Sequence, residues 1–235
     1  MKQLAEGVYL IEGLRGANVY LLVSESELTL VDGGIGGDAD RIVAQLKGAG
    51  FDPSEVASIV VTHAHADHVG GVKDLAQKCN AKVIAHREEV PYIEGKESLP
   101  ARSWVQKAMK WIGGIMPLEG PGVEVARGLE EGERLDALGG LEVIHTPGHT
   151  PGSVTLYQEE KGVLLCGDLL TNGNPLTGRG GLQYGPRAFS VNPGQMERSA
   201  KKLSSLEVRA LCVGHGEPIV RDDKVRMGAL LDGQV

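Results

Sequence analysis

The feature that most constrains this chain is a cluster of metal-ligand side chains in THAHADH, at residues 62–68. The cluster continues directly from the apolar run SIVVT, which is typical of a buried strand. Imidazole and carboxylate groups are ligands that borderline divalent metals prefer. His63 and His65 are two residues apart at a strand end, so their side chains can point the same way. Asp67 and His68 then point elsewhere as the chain bends into a helix, and one segment can therefore serve two adjacent metals.

Three further candidate ligands follow later apolar segments. His149 comes after LEVIHTPG, Asp168 after GVLLCG and His215 after RALCVG. In each case an apolar strand leads to a small residue and then to a single metal-ligand side chain. Ligand sites of sheet-based α/β folds lie at this edge of the sheet. We therefore expect these side chains to meet the 62–68 cluster at one mouth of the fold.

The hydrophobic pattern predicts alternating strands and helices. In the first half the expected elements are strands at 8–12, 18–23, 28–31, 58–62 and 81–85, and helices at 38–49 and 70–79. In the second half they are strands near 123–126, 133–135, 141–145, 153–158, 162–166 and 208–213, a glycine-rich loop at 171–192, and helices at 193–206 and 222–231. This alternation indicates sheets with helices packed on them, which is the α/β class.

The motifs and their order resemble the metallo-β-lactamase superfamily over nearly the whole chain, and the matching residues are His63, His65, Asp67, His68, His149, Asp168 and His215. Asp32, after LTLV, matches the superfamily's first motif, an aspartate that lies near the metal-binding loop without being a ligand. The segments HTPGHTPGS and GHG are typical of its glyoxalase II-like and lactonase-like branches. The resemblance implies an αββα sandwich, in which helices flank two mixed β-sheets, as a single domain over residues 1–235.

The resemblance also implies two sets of ligands, one for each metal: His63, His65 and His149 for the first, and Asp67, His68 and His215 for the second. Asp168 would bridge both metals. His145 lies on its strand, and we expect it to support the site rather than to bind metal. Zinc is the expected metal, with iron or manganese as alternatives, because His/Asp sites accept all three.

Two divalent metals in such a site favour hydrolysis of an acyl bond. A metal-bridging hydroxide would attack a metal-polarised carbonyl group, because metal binding lowers the pKa of water to about 7. Asp67 is the candidate catalytic residue that orients this nucleophile and carries a proton. The expected substrate is a thioester, a lactone or an ester. Three alternatives stay open: a persulfide dioxygenase with one iron on His63, His149 and Asp168, a phosphoester hydrolase with weak β-lactamase activity, and a metal-binding module without catalysis.

Differences between this chain and the motifs of individual superfamily branches narrow the choice of function. A bridging Asp168 is unlike true β-lactamases, and His65 stands where the oxygen-reducing diiron branch carries a glutamate. Thr171 stands where the best-known quorum-quenching lactonases carry a tyrosine. The chain ends about twenty residues after His215, so we expect it to lack the helical domain with which full glyoxalase II enzymes bind glutathione.

Residues 87–118 are expected to form an apolar helical insert. Both tryptophans, Trp104 and Trp111, lie there seven residues apart and share a helix face. Such a helix fits a core element, a lid or pocket wall, or a dimer contact. The candidate substrate contacts are these two tryptophans together with Tyr184 and Arg187 from the glycine-rich loop.

Charge and composition limit the partners. The net charge is −7 without a Lys/Arg cluster, which disfavours nucleic acid. No apolar run approaches the ~20 residues that span a bilayer, and the N-terminal segment lacks the apolar stretch of a signal peptide. Three cysteines without CxxC spacing fit reduced thiols and a cytoplasmic location. We expect a small-molecule substrate and no membrane partner, with a homodimer as one option.

Overall fold

The strands of the first half form a seven-stranded mixed sheet in the computed structural model, which describes residues 1–25, 27–101, 120–173 and 180–233. In spatial order, which is also chain order, its strands are β1 (Lys2–Ala5), β2 (Val8–Ile11), β3 (Val19–Val23), β4 (Leu28–Val31), β5 (Val56–Val61), β6 (Lys82–His86) and β7 (Arg127–Leu129). Neighbours from β1 to β4 are antiparallel, and neighbours from β4 to β7 are parallel.

The second half forms a six-stranded mixed sheet. In chain order its strands are β8 (Arg134–Leu135), β9 (Leu141–His145), β10 (Val154–Gln158), β11 (Val163–Gly167), β14 (Glu207–Val213) and β15 (Ile219–Arg226). The spatial order is β15-β14-β11-β10-β9-β8, and only β11 and β14 pair in parallel. A separate hairpin joins β12 (Leu170–Asn172) to β13 (Leu182–Tyr184).

The helices of the described residues are α1 (Ala39–Gly48), α2 (Ala66–Val69), α3 (Val72–Cys79), α4 (Val90–Ile93), α5 (Pro193–Lys202) and α6 (Met227–Leu231), with 3₁₀ turns at Pro53–Glu55 and Ala137–Gly139. Local signals define their ends. The Asn192 side chain accepts the Gln195 N–H at the start of α5, where Pro193 occupies the first turn. Asn80 adopts a left-handed conformation that stops α3.

Three apolar clusters hold the layers together. The central one joins the inner faces of the two sheets, for example Leu22 against Leu156 and Leu165. A second packs α1 and α3 onto the outer face of the first sheet through side chains such as Leu46. A third packs α5 and α6 onto the second sheet through side chains such as Met196. The helix–sheet–sheet–helix order confirms the expected αββα sandwich.

Two sequence predictions are wrong. The closing helix at 222–231 is restricted to α6, because residues 219–226 form the edge strand β15 and pair with β14. Charged side chains suit that position, since they keep an exposed sheet edge from pairing with other chains. The strand near 123–126 is absent: Val123 and Val125 pack against the outer cluster from a loop. The strand β7 begins at Arg127, although the Ala126 N–H already donates to the Val83 carbonyl oxygen of β6 at 2.8 Å.

Two further segments differ from the prediction in part. The glycine-rich loop at 171–192 contains the last two residues of β12 and all of β13, and the N-terminal strand β1 has no counterpart among the predicted strands. Of the apolar insert at 87–118, the described part contains the short helix α4. Trp104 and Trp111 lie outside the described residues, as does all of 102–119. No helix in the described ranges has both the length and the apolar character needed to cross a membrane.

We expect Leu156→Ala to lower the free energy of unfolding by ~2–5 kcal/mol, because it opens a cavity between the sheets. Leu156 is fully buried in the central cluster. The matched control is Val220→Ala on β15, where the side chain is 45% exposed and the expected change is about 0.5 kcal/mol or less. Urea denaturation followed by circular dichroism measures both values. Equal losses in the two variants would contradict this placement of the core.

Candidate metal centre

The predicted ligands lie where strands of both sheets end. The 63–68 segment leaves β5 of the first sheet and enters α2. His149 lies between β9 and β10, Asp168 follows β11, and His215 follows β14. The parallel pairing of β11 with β14 brings the ends of those two strands to the same side. The sandwich therefore brings side chains that are far apart in sequence together at one edge.

Among the described residues, three overlapping groups could each hold a metal ion, with ligand atoms within 4.8 Å of one another: His63, His65 and His149; His63, His68 and Asp168; and Asp67, His68 and His215. The two outer groups share no residue, and the middle group links them. Together they contain all seven of the ligands suggested by the sequence motifs.

Asp168 lies between the outer groups. One carboxylate oxygen, Oδ1, is 3.3 Å from His68 Nε2. The other, Oδ2, is 3.6 Å from His149 Nε2 and 3.3 Å from His215 Nε2. A single carboxylate can therefore reach towards both groups.

The carboxylate of Asp32 orients two of the imidazoles. It accepts hydrogen bonds from the Thr62 N–H at 2.7 Å, from Thr62 Oγ1 at 2.8 Å and from His68 Nδ1 at 2.8 Å. Because the Thr62 hydroxyl donates to Asp32, its oxygen accepts from His63 Nδ1, which is 3.1 Å away. Both His63 and His68 thus carry a proton on Nδ1 and turn Nε2 into the site.

Ser190 fixes the third imidazole in the same way. Its hydroxyl donates to the Pro186 carbonyl oxygen at 2.9 Å, so the hydroxyl oxygen accepts from His149 Nδ1 at 3.1 Å. The Nε2 atom of His149 then faces Nδ1 of His65 at 2.9 Å. These hydrogen bonds leave ring nitrogens available to a cation, as is usual around metal-binding histidines.

Unpaired buried atoms test whether a metal fits. His63 Nε2, His68 Nε2 and Asp168 Oδ1 are buried and make no hydrogen bond of good geometry among the described residues, although the last two atoms lie 3.3 Å apart. Such atoms are costly unless something satisfies them, and a divalent cation satisfies nitrogen lone pairs and a carboxylate oxygen together. The donor set of imidazoles and carboxylates suits borderline divalent metals.

The charges also call for a cation. Although burial opposes it, the carboxylates of Asp32 and Asp168 raise the pKa of His68 well above its usual value. Burial likewise lowers the pKa of His215, but Asp168 and Asp67 raise it to about 9. Although burial raises the pKa of Asp168, the charges of His215 and His68 hold it well below its usual value. Around Asp168, positive charge is therefore favoured, whether it comes as protons or as a metal ion.

His63 and His149 experience the opposite shift. Burial, reinforced by neighbouring imidazoles, lowers the pKa of His63 well below its usual value. Burial and His65 lower the pKa of His149 to about 3. These rings are neutral at pH 7, which is the form in which an imidazole binds a metal.

Comparison with known proteins identifies the family. The family model described as the metallo-β-lactamase superfamily matches residues 13–215. This chain belongs to that superfamily. A probable metallo-hydrolase of Bacillus subtilis (strain 168) is 30% identical over 218 residues, which cover 86% of this chain and 81% of the relative. A hydroxyacylglutathione hydrolase of Pseudomonas paraeruginosa is 33% identical over 172 residues, which cover 72% of this chain and half of that protein.

Solved structures of the superfamily have the same fold. A metallo-β-lactamase family protein of Thermus thermophilus superposes with a TM-score of 0.68 at 27% identity, covering 93% of this chain and 76% of that one. The subclass B3 metallo-β-lactamase BJP-1 of Bradyrhizobium japonicum superposes with a TM-score of 0.67 at 24% identity, covering 91% and 76%. At that identity the second likeness shows the fold alone.

Contacts between the two sheets support the turn that carries His215. The Asn18 side chain donates to the carbonyl oxygens of Val213 at 2.9 Å and Gly216 at 2.7 Å. The Tyr20 hydroxyl donates to the same Val213 oxygen at 2.6 Å. Sequence patterns could not indicate these bonds, because their acceptors are backbone atoms almost 200 residues away.

At two positions beside the ligands, a side chain larger than that of glycine would clash with neighbouring atoms. A Cβ on Gly214 would lie 2.1 Å from Asp168 Oδ1, so only glycine lets the carboxylate approach the His215 turn. Gly148 has a φ of +132°, and a Cβ there would lie 2.1 Å from the Met196 nitrogen.

Three other predicted residues have contacts outside the ligand groups. The His145 ring donates from Nε2 to the Pro151 carbonyl oxygen at 2.9 Å and stacks on His86 with ring centroids 4.0 Å apart. Tyr184 is half-buried in β13, opposite Leu170. Arg187 forms an ion pair with Glu197 on α5.

We expect His149→Ala to abolish metal binding at the group of His63, His65 and His149, because it removes one of three ligands. The matched variant His145→Ala should cost at most ~10–100-fold in affinity, the range for residues that support a ligand from outside. Zinc titration against a chromophoric chelator measures both. The reverse order of effects would place the third histidine of that group at His145.

The pKa shifts predict different proton release from the two outer groups. The pKa of His215 is raised to about 9 and that of His68 is raised well above its usual value, so metal binding at their group should release protons. Affinity at that group should fall as pH falls below about 9. In the other group, His63 and His149 should release no proton, because both are already neutral at pH 7.5. Calorimetry in two buffers with different ionisation enthalpies counts the protons, and equal counts at both groups would refute this assignment.

Proposed function

We propose that this chain is a binuclear metallo-hydrolase that cleaves a small-molecule acyl bond: a thioester, a lactone or an ester. Its membership of the superfamily and its similarity to a probable metallo-hydrolase support hydrolysis. The observation that carries the proposal is the pair of three-residue groups that share no residue and are linked through Asp168. A carboxylate between two such groups is suited to hold two cations side by side.

The proposed ligands divide between two cations, with zinc first and iron or manganese as alternatives. One set is His63, His65 and His149, the other is Asp67, His68 and His215, and Asp168 is shared. When bound, the metals lower the pKa of water and polarise a carbonyl oxygen. The hydrogen bonds that His68 and His149 donate from Nδ1 to Asp32 and Ser190 keep their Nε2 atoms directed inward, so little reorganisation is needed on loading.

Asp67 is the proposed catalytic residue. Its side chain is 39% exposed, against 7% for Asp168, so solvent and substrate can reach it. Although burial raises its pKa, the hydrogen bond from His215 holds that pKa well below its usual value. An ionised carboxylate at the mouth of the site can accept a hydrogen bond from a water molecule at Oδ1 or Oδ2 and orient it towards a substrate carbonyl.

A thioester is the first substrate class to test. The similar hydroxyacylglutathione hydrolase acts, by its name, on an acyl group carried by the sulfur of glutathione, although the match spans only half of that protein. Tyr184 and Arg187 remain proposed substrate contacts, together with Trp104 and Trp111. The three cysteines are free and buried, which supports a cytoplasmic location for a small-molecule enzyme.

The test is metal-dependent turnover. Chelator-treated protein should be inactive on a panel of thioesters, lactones and esters, and added Zn²⁺ should restore hydrolysis until two equivalents are bound. Asp67→Asn should lower kcat on the best substrate by ~10²–10⁴-fold, the range for lost acid–base or water-orienting groups. Activity with one equivalent of iron, with oxygen consumed on a persulfide and no acyl hydrolysis, would replace the proposal with the dioxygenase alternative.

A further inference from the structure

A buried carboxylate that none of the motifs includes lies behind the site. Glu89 has no exposed surface. Its Oε1 accepts the Ala64 N–H at 2.7 Å, and its Oε2 accepts the Gly152 N–H at 2.7 Å. The Thr150 side chain lies close enough to lower the pKa of the same carboxylate. One side chain thus contacts two separate loops.

Both loops carry metal-ligand histidines. Ala64 lies between His63 and His65, and Gly152 and Thr150 lie on the β9–β10 loop that presents His149. The two loops come from different sheets. Glu89 therefore spans the gap across which His65 Nδ1 and His149 Nε2 face each other at 2.9 Å.

The support of Glu89 itself is independent of either loop. The Glu89 N–H donates to the His86 carbonyl oxygen at 2.8 Å, and the neighbouring Arg87 N–H donates to Leu129 of β7 at 3.0 Å. The β9–β10 loop packs tightly on this support, because a Cβ on Gly152 would lie 2.5 Å from the Glu89 nitrogen. The carboxylate is thus mounted on the edge of the first sheet.

We propose that Glu89 is a positioning residue that sets the spacing of His63, His65 and His149 by holding their two loops together. The inference rests on the proposed function, because the spacing matters only if this group binds a metal. It extends that function because only the group of His63, His65 and His149 would depend on Glu89. In the described ranges, no hydrogen bond joins Glu89 to the turns of Asp168 or His215.

A residue that only stabilised the fold would not need to be a buried carboxylate. Burying a carboxylate costs free energy unless hydrogen bonds compensate for the lost hydration. Burial raises the pKa of Glu89 to about 7, although the Thr150 side chain and the bonds from Ala64 and Gly152 oppose that rise. A carboxylate has one property that neutral residues of this size lack: both of its oxygens accept hydrogen bonds, so it can hold two backbone N–H groups at once.

The experiment compares Glu89→Gln with Glu88→Gln, the same change at the adjacent exposed glutamate. Glutamine keeps the shape but turns an NH₂ group towards one of the two loops. Stepwise Co²⁺ titration reports both affinity and ligand geometry, and His149→Ala identifies the binding step of the first group. Glu89→Gln should weaken that step by ~10–100-fold and change its d–d spectrum. It should leave the step of Asp67, His68 and His215 as in wild type, and Glu88→Gln should match wild type at both.

Glu89→Asp is the second variant, because it keeps the charge but is too short to span both loops, and it should lose affinity at the same step. Wild-type affinities at both steps in both Glu89 variants would overturn the inference while leaving the proposed function intact. Equal weakening of both steps, or loss of the folded state in both variants, would assign Glu89 to general stability and would also overturn it. Wild-type protein that binds no Co²⁺ would overturn the proposed function itself.

Discussion

The site depends on one carboxylate, that of Asp32, at the end of β4. It accepts three hydrogen bonds from the segment that follows the neighbouring strand β5, two from Thr62 and one from His68. Asp32 itself adopts a left-handed backbone conformation with a φ of 64°, which is rare for a residue other than glycine. Such a conformation persists where surrounding contacts enforce it, and here it directs the carboxylate under the histidine cluster.

The electrostatics follow from this arrangement. Nδ1–H groups held by Asp32, Thr62 and Ser190 turn the Nε2 atoms inward, towards the carboxylate of Asp168. The pKa values of His68 and His215 rise, whereas those of His63 and His149 fall. One edge of the sandwich thus contains a carboxylate-rich half and an imidazole-rich half. This asymmetry gives the two halves different proton requirements for cation binding.

Much of the fold and the ligand groups could be predicted from the sequence, because strand ends and ligand motifs are local signals. The histidines at 63, 65 and 68 lie within six consecutive residues. His149, Asp168 and His215 each follow an apolar strand. The supporting contacts are not local. Glu89 bonds to backbone amides 25 and 63 positions away, and neither amide has a sequence signature. The helix predicted over part of the edge strand β15 is wrong, because that strand forms by pairing with β14, and its own sequence does not show this pairing.

The central claim is that this edge holds two cations with Asp168 between them. Anomalous diffraction at the zinc edge from metal-loaded crystals tests it most directly. The account predicts two peaks ~3.5–4 Å apart, one among His63, His65 and His149 and one among Asp67, His68 and His215, with an oxygen of Asp168 near each. A single peak bound by His63, His149 and Asp168 at metal saturation would contradict it.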